Sequence, residues 1–184
     1  MERLTSGSLD SALLVTLPIS GSGQFTALVS DVSGNTGVGL VELYDADSNA
    51  PGVRLVNVSA RNLVGTGANI LIAGFTVGGS TAETLLIRGD GPALALAPFN
   101  LSGTLAQPVL QIYNSLGTMI YSNTGWGGDP NLATAMATVG AFGLPNTSQD
   151  SAMLVTLPAG PYTALISGSN NTVGIALVEV YEVY

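Results

Sequence analysis

The residues able to carry chemistry in this chain are few, and most of them are carboxylates. Twelve Asp and Glu stand against four basic residues, all of them Arg, with no His, Lys or Cys. Ser–His and Cys–His nucleophile pairs are therefore unavailable, as is a thiolate metal site. Paired carboxylates remain, and these are the apparatus of glycoside hydrolysis. Glu42 and Glu179 form the most suggestive pair. They occupy one position in two copies of a repeat, however, and a shared structural role accounts for that better. The sequence predicts no enzyme and no resident cofactor.

Three binding motifs compete with structural readings. Asp45-Ala46-Asp47-Ser48-Asn49 has the oxygen-ligand spacing that opens a calcium loop. Ala50 then replaces the sharp-turn Gly, and Val56 stands where a bidentate Glu would close the site. Asp45, Asp47 and Asn49 are thus half a calcium motif, or simply a polar turn. Arg88-Gly89-Asp90 spells an adhesion tripeptide, although a strand end turning at Gly89 and Gly91 explains both glycines and lets Arg88 pair with Asp90 or Glu83. Trp126, in a run of glycines, forms a sugar-stacking platform if Tyr113 and Tyr121 lie beside it. Otherwise it caps a sandwich end with its indole N–H bonded to a carbonyl. Four glycosylation sequons, at Asn57, Asn100, Asn146 and Asn170, are expected by chance in so Ser/Thr/Asn-rich a chain.

The elements that position these residues follow from an internal repeat. Asp10-Ser11-Ala12-Leu13-Leu14-Val15-Thr16-Leu17-Pro18 returns as Asp150-Ser151-Ala152-Met153-Leu154-Val155-Thr156-Leu157-Pro158. Phe25-Thr26-Ala27-Leu28-Val29-Ser30 returns as Tyr162-Thr163-Ala164-Leu165-Ile166-Ser167, and Gly37 to Tyr44 returns as Gly174 to Tyr181. Each copy predicts three strands, short runs of Val, Leu, Ile and Thr bounded by Pro, Gly and Asn. A hairpin loop joins the first two, longer in the first copy (19–24) than in the second (159–161). The segment between the copies predicts strands at 53–61, 69–77, 83–88, 108–114 and 118–123. One helix is expected after Asp129, with Pro130 in its first turn and Leu132, Met136 and Val139 on one face. The third strand of each copy is apolar on both faces apart from its Glu. It should be covered by the sandwich on one side and by a partner on the other.

The phase of the repeat sets the organisation. Residues 53–184 read as a complete eight-strand unit, 47–52 as a linker turn, and 1–46 as a three-strand tail-like copy. Such a copy is too small to bury a core alone and must dock. The fold class is all-β, an antiparallel β-sandwich of jelly-roll or immunoglobulin-like form with one short helix and a duplicated three-strand element.

Composition narrows the partners. Hydrophobic residues make up 46% and charged residues 9%, with a net charge of −8. Four scattered Arg cannot track phosphates, which argues against nucleic acid and anionic membrane. No apolar run is long enough for a helical span, so no membrane insertion is expected. The first residues contain no apolar stretch typical of a secretion signal, so any such signal lies outside them. The surplus of apolar side chains over charges is read as surface awaiting burial.

The repeated blocks, together with Arg54 to Arg61, Gly65-Thr66-Gly67, Leu71 to Phe75, Leu86-Ile87-Arg88-Gly89, Gly91-Pro92-Ala93-Leu94 and the Asn123 to Trp126 region, resemble a module of large secreted proteins of environmental bacteria. The resemblance covers nearly the whole chain after Ser8. It implies a repeat-like extracellular or cell-surface β domain with no known catalytic role, and it supplies no site residues. Asp90 departs from it, since a small or apolar residue is expected between Gly89 and Gly91. The function expected is that of a structural subunit assembling head-to-tail with itself into an extracellular filament or surface array. Self-association would run through Leu13, Val15, Val38, Leu40 and Tyr44, by edge pairing and apolar burial worth about 25 cal/mol per Å² before ordering costs. The alternative is a carbohydrate- or calcium-dependent adhesion module.

Overall fold

Eight strands, one α-helix and two short 3-10 helices account for the regular structure of a computed structural model that describes residues 7–18, 24–46 and 55–184. In order the strands and the α-helix are β1 (Asn57–Val64), β2 (Leu71–Val77), β3 (Glu83–Asp90), β4 (Pro108–Asn114), β5 (Met119–Asn123), α1 (Pro130–Thr138), β6 (Ser151–Leu157), β7 (Gly160–Gly168) and β8 (Gly174–Glu182). The strands form two four-stranded antiparallel sheets, ordered β1-β8-β3-β6 and β2-β7-β4-β5. The architecture is an antiparallel β-sandwich. By its contacts the chain divides into two compact units, Met1–Ala46 and Asp47–Tyr184, and all eight strands belong to the second.

Alternation along the strands fills the space between the sheets. Leu85 and Ile87 of β3, Met153, Val155 and Leu157 of β6, and Ala176 and Val178 of β8 meet Leu110 and Ile112 of β4 and Ala164 and Ile166 of β7 there. Gly89 faces the same layer, where a Cβ would stand 2.6 Å from Ile166 Cδ1. Its glycine is therefore a packing requirement. α1 begins as expected: Asp129 Oδ1 accepts from Asn131 N at 2.8 Å, and Leu132 and Met136 are buried.

Three expectations are corrected. First, β6 and β7 are not a hairpin. They lie in different sheets, and of the consecutive strands only β4 and β5 pair directly. A short connection such as Pro158-Ala159 fixes proximity but not sheet membership. Second, the outer face of β8 is covered in part by its own unit. Tyr181 packs with Leu86, Ala152, Trp126, Leu132, Met136 and Leu144 in a second core on the outside of the β1-β8-β3-β6 sheet. Ile175 and Leu177 on the same face are half-buried. Third, residues 7–18 and 24–46 contain no strand, although their sequences repeat β6, β7 and β8.

Candidate functional site

The pairing pattern explains that third correction and marks the surface of interest. β6 pairs only with β3, β7 with β2 and β4, and β8 with β1 and β3. None of the three closing strands pairs with another. Each owes its backbone hydrogen bonds to the frame made by β1–β5. A copy of the three has no ladder to form on its own, whatever its β propensity.

Specific polar groups fasten the closing strands to that frame. Asp150 Oδ1 accepts from Gly91 N at 2.7 Å and from Ala93 N at 3.2 Å, while its carbonyl accepts from Trp126 N at 2.7 Å. Ser151 Oγ donates to Pro108 O at 2.6 Å. Glu179 Oε2 lies 2.6 Å from Arg88 Nη2, and its Oε1 accepts from Tyr181 OH at 2.8 Å. At Gly174 the backbones approach closely, since a Cβ there would stand 2.6 Å from Leu105 N.

Arg88 is the centre of a buried charge cluster on the outer side of its sheet. Its Nη2 donates to Asp90 Oδ2 at 2.8 Å and its Nη1 to Phe142 O at 2.6 Å, with the guanidinium carbon 4.1 Å from the Phe142 ring centre. Burial opposes the charge on Arg88, but Asp90 and Glu179 together outweigh it and keep the group more basic than usual. Burial pushes the Asp90 carboxyl well above its ordinary range. Arg88 opposes the shift, and the charge of Glu179 adds to it. Burial and Glu179 likewise raise the Tyr181 phenol. Arg88 and Asp90 are wholly buried, so the adhesion tripeptide presents nothing to a receptor.

The N-terminal segment keeps each of these fastenings. Asp10 and Ser11 stand for Asp150 and Ser151, Glu42 and Tyr44 for Glu179 and Tyr181, and Gly37 for Gly174. Tyr44 OH even donates to Glu42 Oε1 at 2.8 Å, the same contact that Tyr181 makes with Glu179. The apolar positions persist too, but exposed. Leu13 is 85% accessible where Met153 is 9%, and Val41 is 53% where Val178 is 1%. Val15, Val38, Leu40 and Tyr44 are likewise exposed. Sequence reasoning named five residues of this surface and gave Glu42 a structural role shared with Glu179, but did not single out Asp10, Ser11, Val29 or Val41. The signal was present, in polar residues repeated at fixed places within apolar strands.

The other motifs fare differently. Trp126 is 4% exposed, and its indole N–H donates to Pro145 O at 3.0 Å and Ser148 Oγ at 3.2 Å. It caps the second core and offers no stacking face, which removes the centre of the platform drawn with Tyr113 and Tyr121. Tyr121 is exposed on β5 and Tyr113 half-buried on β4. Asp45 is described, whereas Asp47 and Asn49 of the calcium half-motif lie outside the described residues. Among the described residues no cluster of three or more carboxylates is placed to hold a metal. An open cleft of about 540 Å³ runs between Leu96, Pro98 and Phe99 on one side and Phe142, Leu144 and Pro145 on the other. Its lining carries no ionisable side chain, and the polar groups it presents are backbone ones. No protein-family model matches the chain, and none of the curated proteins is detectably similar to it in sequence.

Proposed function

We propose that this chain is a non-enzymatic structural subunit of an extracellular filament or surface array, joined head-to-tail to its neighbour through residues 10–44. One observation carries the reading: residues 10–44 repeat the apolar and polar residues of β6–β8, their described apolar side chains are exposed, and the 47–184 unit already has closing strands of its own. Surface of this kind favours association, because burying its side chains recovers the free energy that solvation costs them. The low charge and the resemblance to secreted modules support the extracellular setting. The buried Trp126 weighs against the glycan-binding alternative.

The test is sedimentation and electron microscopy of the full chain beside a chain beginning at residue 47. The full chain should form higher-order particles at high concentration, and the shortened one should remain a folded monomer. A full chain that stays strictly monomeric overturns the proposal.

A further inference from the structure

One cation faces two carboxyls in the dry cluster between β3 and β8. Arg88 and Glu179 stand directly opposite each other in the ladder of those strands. A single guanidinium nitrogen serves both acids: Arg88 Nη2 lies 2.8 Å from Asp90 Oδ2 and 2.6 Å from Glu179 Oε2. The side chains of Arg88 and Asp90 are wholly buried, and that of Glu179 is 7% exposed. With both carboxyls ionised the cluster would hold one net negative charge away from water, which is costly.

The hydrogen bonds point the same way. Arg88 Nη1 donates to Phe142 O, Nη2 to Asp90 Oδ2, and Tyr181 OH to Glu179 Oε1. Glu179 Oε2 is in ion-pair range of Nη2 but not aligned to accept from it. It and Asp90 Oδ1 are thus buried oxygens with no donor among the described residues. Two ionised carboxylates are acceptors only and give each other nothing, whereas one added proton turns either into a donor for the other. Burial favours that proton on Asp90. Arg88 opposes it, while the charge of Glu179 and a hydrogen bond between the two carboxyls favour it again.

We propose that Asp90 and Glu179 hold one proton between them, and that this proton latches β8 to β3 and releases it on leaving. The charged and titratable groups facing Asp90 are Arg88 on its own strand, Glu179 and Tyr181 on β8, and Asp150 just before β6. Asp150 is engaged by the N–H groups of Gly91 and Ala93. The segment over the cluster brings only the carbonyl and ring of Phe142. The proton is taken from water on folding and returns to water as pH rises. Both carboxylates then compete for Nη2. Glu179 has the one exposed edge, so it gives way, and its bond from Tyr181 goes with it. The latch lies wholly within the second unit and does not depend on what residues 10–44 join.

Carboxyl-carbon NMR of the isotopically labelled full chain across a pH series tests this, in solution or, where the chain assembles, in the packed solid. The Asp90 and Glu179 carboxyl carbons should move together through one midpoint well above the ordinary Asp value of 3.8. The Tyr181 ring carbon bearing the hydroxyl should follow the same midpoint. Glu179→Gln should lower the Asp90 midpoint, a loss of about tenfold in proton affinity. Asp90→Asn should leave Glu179 with no high midpoint. An Asp90 carbon that titrates at or below the ordinary value overturns the shared proton, as does an Asp90 that titrates alone while Glu179 stays still. Asp90 and Glu179 moving together with Tyr181 unmoved overturns the latch. The parent chain gives all three readings, so they decide the matter even if a variant fails to fold.

Discussion

Residues 10–44 and 150–181 are two renderings of one sequence pattern, and only one of them is sheet. Both carry Ala-Leu-Leu-Val-Thr-Leu or its near equivalent, both carry Thr-Ala-Leu, and both end on Leu-Val-Glu followed by Leu or Val and Tyr. The second copy supplies three strands to two sheets, while the first has no strand in its described residues. Propensity is nearly constant between them, so propensity does not decide. What the second copy has is the frame: β1–β5 give each of its strands a neighbour. Strand identity here belongs to a partnership of segments distant in sequence.

Parallel substitutions sharpen this contrast, because the same change should cost differently in the two copies. The largest gap is expected for a core leucine. Leu157→Ala empties a site between the sheets and should lower stability by about 2–5 kcal/mol. Leu17→Ala, at the equivalent exposed position, should stay within about 0.5 kcal/mol. Urea unfolding of the full chain in its monomeric range measures both. Equal costs would mean that the first copy already occupies a frame.

A polar fastening comes next. Asp150→Ala strands the buried N–H groups of Gly91 and Ala93, a loss of about 1–3 kcal/mol. Asp10→Ala removes the side-chain contact with Ser8 and should be near neutral in unfolding. Smaller again is Ile166→Val, at about 0.5–1.5 kcal/mol, against no measurable change for Val29→Ile. A reversed order among these three pairs would break the equivalence of the copies.

Much of the frame was legible from periodicity. The expected strand at 108–114 is β4 to the residue, and those at 69–77, 83–88 and 118–123 lie within two residues of β2, β3 and β5. Pro130 and the spacing of Leu132 and Met136 gave α1 because its cap and its buried face are local features. Sheet membership was not legible. Thr156 and Thr163 look alike in sequence, and nothing in Pro158-Ala159 says that the chain changes sheets between them. The outer cover of β8 was missed for a related reason, since an apolar outward face reads the same whether α1 or another molecule lies over it. The pairing of Arg88 with Asp90 was legible in the tripeptide, whereas Glu179 and Phe142 joining it was not, because they come from segments distant in sequence.

The smallest expected effect concerns a slope rather than a height, and it separates Glu179 from Glu42. Burial holds the Asp90 carboxyl above its ordinary value of 3.8, with Glu179 adding to the shift, Arg88 opposing it and Asp150 contributing weakly. The folded state therefore holds that proton more tightly than the unfolded chain does. The stabilisation is complete below the unfolded value and is lost as pH rises through the folded one. Melting temperature should accordingly decline as pH climbs through the raised range of Asp90. Asp90→Asn, neutral at every pH and similar in shape, should flatten that limb. Glu179→Gln should flatten it partly, because removing the neighbouring charge lets Arg88 draw Asp90 back toward ionisation. Glu42→Gln should leave that limb in place, since Glu42 is not among the groups that shift Asp90. If Asp90→Asn gives a curve parallel to the parent, Asp90 is ionised in the fold, and the distinction between the two glutamates then rests on packing alone.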